Sequence, residues 1–149
     1  WQAGESMRTN LTIGTDDYAR SIRGHSFAED EEQIDKIFTL IYTAYQAKDV
    51  DKIMYYISRE FSYGKEGYFD FEKDLRFFFT NSDQIRVATK KKEIRLKDSK
   101  TASIKHMYEE IYLDRAKNNQ EVRRVVKERL WFSKKDARWL LVGVENNPK

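Results

Sequence analysis

Between residues 34 and 45 the apolar positions recur every three or four residues, at Ile34, Ile37, Phe38, Ile41 and Tyr45. That spacing predicts one stripe of an amphipathic helix. Ser26 and Glu29 stand ahead of it at capping-box spacing, and the acidic run Glu29 to Glu32 lies where the helix dipole favours negative charge. Asp49 is placed to cap a second, shorter helix, "VDKIMYYIS", with Val50, Ile53, Met54 and Ile57 inward. "REFSYGKEGYF" predicts a short strand and a glycine-bearing turn. "DFEKDLRFFFTNSD" predicts a third helix, capped by Asp70 and burying Phe71, Leu75, Phe78 and Phe79, although its triple Phe would also suit a strand.

After Asp83 the period changes to two. In "QIRVATKKKEIRLKD" the residues Ile85, Val87 and Thr89 share one parity, whereas Ile94 and Leu96 take the other. A flip of parity within one strand is what a β-bulge produces, and a bulge bends a sheet. "TASIKHMYEEIYLD", "EVRRVVKERLWFSK" and "ARWLLVGVE" follow across short polar breaks. Four strands with such short connections must be antiparallel neighbours. Helices first and a meander afterwards make an α+β layout, with helices against one sheet face. The last hairpin carries the densest apolar material, so it is expected inside the sheet, under the helices.

At 149 residues the chain suits one domain. Residues 1–25 hold three of the six glycines without sustained periodicity and are expected to be a flexible arm or linker, leaving 26–149 as the domain. No apolar run approaches the length of a membrane span. With no cysteine there is no disulfide, thiol nucleophile or thiolate metal site. The 28 basic and 25 acidic residues nearly balance, which argues against a nucleic-acid partner. The one strongly basic stretch, Lys90 to Lys100, has the ordinary reading of a strand edge protected by lysines, with binding of an anionic polymer as the sharper one. His25 and His106 have no carboxylates clustered at ligand spacing, so no metal is expected. No glycine-rich phosphate loop or nucleophile elbow is present, and no cofactor is called for.

The order of elements then resembles the nuclear transport factor 2-like superfamily, which includes ketosteroid isomerase, scytalone dehydratase and polyketide cyclases. The residues carrying the resemblance are the long first helix, the second introduced by "AKDVDKI", and "ERLWFSKKDARWLLVGVE", over roughly Phe27 to Glu145. Within it the layout looks closest to non-catalytic domains of exported bacterial proteins, including those appended to L,D-transpeptidases. The resemblance implies a cone, in which a strongly curved sheet wraps the helices and leaves a cavity at its open end. It implies a small apolar or amphipathic ligand, or a peptide or glycan, and homodimerisation through the outer sheet face, where exposed Met107, Ile111 or Trp131 would support it. An exported setting, periplasmic or extracellular, is favoured over the cytoplasm.

Given such a cavity, Tyr42, Tyr45, Tyr63, Phe79, His106, Tyr108, Glu110, Tyr112 and Trp131 are the residues expected to meet a ligand. On the strand from 101 to 113, one parity holds Ala102, Ile104, His106, Tyr108, Glu110 and Tyr112, and the other is nearly as mixed. A buried His or Glu can be tuned towards neutral pH, so His106, Glu110 and Glu128 are the candidate catalytic groups. Glu128 falls in line with Val126, Leu130 and Phe132, as a buried acid or, more ordinarily, one half of an ion pair. A binding or interaction domain is the first expectation. A cofactor-independent isomerase, dehydratase or cyclase using His106 or Glu110 as base is the second.

Overall fold

The computed structural model describes residues 27–148, so the arm at 1–25, the Ser26 cap and His25 lie outside the described residues. Helix α1 (Phe27–Gln46) buries Ile34, Phe38, Ile41 and Tyr45 as its periodicity requires, with Ala44 between them and Ile37 only partly covered. Asp49 accepts the backbone N–H of Lys52 and so starts α2 (Val50–Tyr55). That helix is shorter than its apolar spacing predicts. Ile57 belongs to strand β1 (Ile57–Tyr63), because the β-branched and aromatic run after Met54 gains more by pairing with the sheet than by continuing the coil.

A left-handed Gly64 (φ +62°) turns the chain into the two-residue strand β2 (Glu66–Gly67), from which α3 (Tyr68–Thr80) begins directly. Asp70 is therefore not the N-cap. It sits one turn inside and reaches back to accept the Gly67 N–H at 2.9 Å. The triple Phe is helical, and helical geometry separates its rings: Phe77 is 73% exposed, Phe78 partly buried and Phe79 in the core.

Strands β3 (Ser82–Asp98), β4 (Thr101–Asp114), β5 (Gln120–Lys135) and β6 (Arg138–Asn146) complete a six-stranded sheet in the order β2-β1-β6-β5-β4-β3. All neighbours are antiparallel except β1 and β6, a parallel pairing that returns the helical half of the chain to the sheet's other end. The β3–β4 register shifts between Thr89 and Lys91, which is the parity flip seen in the sequence. A second shift between Trp131 and Phe132 bends β5 against β6. The long strands thereby curl around α1, and the helices occupy the concave face of a mostly antiparallel sheet. Among the described residues no helix is long and apolar enough to cross a membrane.

The last hairpin is central, as its composition demands. Phe132, Trp139 and Leu141 are at most 2% exposed beneath the helices. Its turn is two residues long, with Asp136 (φ +52°) and Ala137 (φ +62°) both left-handed, the geometry that matches the twist of a tight hairpin. Asp30, in the first turn of α1, holds that hairpin. Its Oδ1 accepts the Trp139 indole N–H and the Lys134 ammonium, each at 3.1 Å. An acidic residue expected only to favour the helix dipole thus pins the start of α1 to the strands under it.

Candidate functional site

The register of β4 against β5 builds the polar part of the interior. The β4 face that turns inward carries Ala102, Ile104, His106, Tyr108 and Glu110, all buried. Directly opposite on β5 lie Phe132, Leu130, Glu128, Val126 and Arg124. Directly opposed side chains in an antiparallel pair are the closest cross-strand neighbours, so two polar pairs follow from register alone. His106 Nδ1 stands 3.3 Å from Glu128 Oε2, and Arg124 donates to Glu110 Oε1 at 2.6 and 2.7 Å. Both pairs are set symmetrically about Lys117, in the short 3₁₀ turn (Arg115–Lys117) that joins the strands.

Helix α1 adds the phenols. Tyr42 donates its hydroxyl proton to Glu128 and Tyr45 donates to Glu110, so among the described residues each buried carboxylate has a partner on the helix and another on the sheet. The other nitrogen of His106 lies 2.9 Å from the Thr89 hydroxyl on β3. The ring thus bridges the Glu128 carboxylate and the Thr89 hydroxyl. Tyr108 stacks on His106 with centroids 4.5 Å apart, while Phe38 and Tyr42 present edges to the same ring at 4.8 and 5.0 Å. Burial, reinforced by Glu128, pushes the Tyr42 hydroxyl well above its ordinary pKa. Burial and Glu110 do the same for Tyr45, and burial with both carboxylates does so for Tyr108. These phenols are held as neutral hydrogen-bonding groups.

Below this network lies a narrow cavity that encloses about 40 Å³ and opens to solvent. Phe38 and Ile41 of α1, Ile53 of α2, Phe71 and Leu75 of α3, and Leu130, Leu141 and Val144 of the sheet form its apolar wall. Tyr42, Tyr45, Tyr108 and Glu128 supply its polar pole.

The residues singled out in the sequence take different places around it. Tyr42, Tyr45, Tyr108 and Glu128 reach the wall. His106 and Glu110 sit behind it, each through a carboxylate–phenol or carboxylate–imidazole contact rather than at the surface. Phe79 packs on Tyr45 in the core, and Tyr112 lies edge-on to Phe78 under Arg124. Tyr63 accepts a hydrogen bond from the Asn146 amide beside the cavity. Trp131 faces the other way: β5 alternates, Phe132 and Leu130 point inward, and Trp131 belongs to the outer face beneath the Arg129 guanidinium. Of the other outer-face residues, Met107 is partly covered and Ile111 is buried. Lys90–Lys100 runs along β3, the edge strand, and into the turn after it, with Lys92 bound to Asp35 of α1. Among the described residues no group of three His, Asp or Glu is gathered as a metal would need.

The helical residues of the wall were recognisable from periodicity, and the polar residues were singled out one by one, but their pairing was not read. Its signal was nevertheless present, in the equal distances of His106 and Glu128, and of Glu110 and Arg124, from the short polar break between β4 and β5.

This arrangement of helices inside a curled sheet recurs among solved structures. A nuclear transport factor 2-like superfamily protein from Salmonella enterica serovar Typhimurium superposes with a TM-score of 0.73 over 83% of this chain and 95% of its own, at 12% identity. The fold is that of the nuclear transport factor 2-like proteins. A ketosteroid isomerase-like protein from Erwinia carotovora atroseptica matches with a TM-score of 0.68, 12% identity and coverage of 81% and 97%. The association domain of C. elegans CaMKII matches at 0.63, with 19% identity and coverage of 81% and 97%. No family model and no curated protein matches the chain. At these identities the likeness is one of fold, which is compatible with binding and isomerase roles alike.

Proposed function

We propose that this domain is a binding module that takes a small, largely apolar molecule into the cavity under α1. The supporting observation is an apolar pocket with one concentrated polar pole, Glu128 with Tyr42, Tyr45 and Tyr108. Apolar walls supply affinity and a few fixed polar groups supply orientation, the usual division of labour in small-molecule sites. The enclosed space is small, about 40 Å³, so it takes only one small apolar group, and a peptide or glycan strand would have to present a single side group to enter it. A thermal-shift screen of small amphipathic molecules tests this reading. Val144 is a partly buried wall residue of β6, so Val144→Trp should abolish the stabilisation by every hit while leaving the unliganded melting temperature within a few degrees. Hits unaffected by Val144→Trp would place binding elsewhere and overturn the reading.

A second reading, cofactor-independent acid–base chemistry, is favoured by the His106–Glu128 pair. In it Glu128, rather than His106 or Glu110, is the base that substrate can touch, and His106 is a positioning residue behind it. Turnover that survives Glu128→Gln would dispose of that assignment.

A further inference from the structure

We infer a second binding site, on the outer face of the sheet, for a small oxyanion that carries its own proton, of the hydrogen-phosphate type. The face turned away from the helices holds a hollow of about 270 Å³ where β3, β4 and β5 lie side by side. Cross-strand register assembles it in two rows, Glu93, Lys105 and Arg129 in one and Arg95, Ser103 and Trp131 in the next. The basic stretch Lys90–Lys100 is therefore divided between two faces. Lys92 turns to Asp35 of α1, while Arg95 and Lys97 line the outer hollow.

The two arginines supply the attraction for an anion, because a guanidinium presents forked donors that match an oxyanion's geometry. Arg95 keeps 62% of its side chain in water and meets Glu93 only at 4.0 Å, so it is able to turn onto a ligand. Arg129 is held in place, over the Trp131 ring and 3.3 Å from Glu145. On the floor between them Ser103 is 7% exposed, and its hydroxyl has no hydrogen-bond partner among the described residues, which leaves a third donor facing the hollow. Glu93 narrows the class of anion. Its Oε2 is buried and also without a hydrogen-bond partner among the described residues. A buried acceptor left unpaired is costly, and an oxyanion with no proton would only add repulsion. Hydrogen phosphate resolves both problems: its bare oxygens accept from the arginines and Ser103, and its remaining P–OH donates to Glu93.

The test titrates the full chain with inorganic phosphate and, separately, with sulfate, at mildly alkaline pH and at an ionic strength held constant with chloride. Under those conditions both ions are dianions and only phosphate keeps a proton. The NMR signals of the Trp131 indole N–H and the Ser103 amide are followed. Both should shift saturably with phosphate, and sulfate should bind at least fivefold more weakly. Arg95→Gln should weaken phosphate at least fivefold. Glu93→Gln should reduce the preference for phosphate to less than twofold, because the amide is able to donate to either ion. Sulfate bound as tightly as phosphate by the unaltered chain would overturn the hydrogen-phosphate assignment. Shifts that do not saturate, or a phosphate affinity unchanged in Arg95→Gln, would overturn the site itself. Selectivity on the unaltered chain decides the class of anion even if Glu93→Gln does not fold, and none of these outcomes bears on the interior cavity, which shares no lining residue with this hollow.

Discussion

Replacing Asp30 should show whether the first turn of α1 is anchored to the last hairpin or merely lies near it. Asp30→Ala removes the acceptor of the Trp139 indole N–H, and Trp139 is 1% exposed, so water cannot substitute. A buried donor left without a partner costs about 1–3 kcal/mol. The Lys134 ammonium keeps 24% of its side-chain surface in water, so losing its pairing adds no more than about 1 kcal/mol. The expected total is about 1–4 kcal/mol. Asp30→Asn keeps an oxygen for Trp139 and loses only the charge, for about 1 kcal/mol. At roughly 3 °C per kcal/mol for a chain of this size, the melting temperature should fall about 3–12 °C in the first variant and about 3 °C in the second. Urea unfolding followed by far-ultraviolet circular dichroism would measure both. An alanine variant within 0.5 kcal/mol of wild type, or two variants equally damaged, would refute the anchoring argument.

Three other outcomes follow from the same structure. Ala137 holds a left-handed backbone (φ +62°) that a side chain disfavours, so Ala137→Gly should stabilise the protein by about 0.5–1 kcal/mol in urea unfolding, and a loss of stability would contradict the turn geometry. Tyr42, Tyr45 and Tyr108 have hydroxyl pKa values raised by burial above that of the unfolded chain; their stabilising contribution is complete below pH ~10 and is lost as pH rises further. Their tyrosinate absorbance should accordingly appear only together with unfolding, whereas a reversible early titration by all nine tyrosines would be inconsistent with the buried network. Asp83 receives hydrogen bonds from Arg115 and Lys48 that lower its carboxyl to about 2, so its small contribution is present above pH ~4 and disappears towards pH 2; carboxyl-detected NMR should find that midpoint, and Arg115→Ala should raise it.

The elements that could be read from the chain were those whose pattern is local. The stripe of α1, the cap at Asp49, the parity flip near Thr89 and the central place of the last hairpin all depend on neighbours a few residues apart. The parallel pairing of β1 with β6 joins residues more than eighty positions apart, and no spacing within either strand announces it. The start of α3 slipped from Asp70 to Gly67 because an acidic residue serves equally well at a cap and one turn inside it. For the site, alternation placed His106, Tyr108, Glu110 and Glu128 on faces without deciding which of them a ligand would touch. That depended on α1: Tyr42 and Tyr45 fall over Glu128 and Glu110, and the imidazole is thereby left behind its carboxylate. Trp131 illustrates the converse, a ring whose chemistry suited a pocket while its parity put it outside.

The cavity itself is most directly tested with toluene, which carries no polar group and reports only on space. Titrated into the isotope-labelled protein, it should shift the methyl resonances of Ile41, Ile53, Leu75, Leu130, Leu141 and Val144 in a saturable manner and leave the outer-face methyls of Met107 and Val125 unmoved. Shifts that never saturate, or that fall on the outer face while the inner methyls stay still, would contradict a hollow beneath α1.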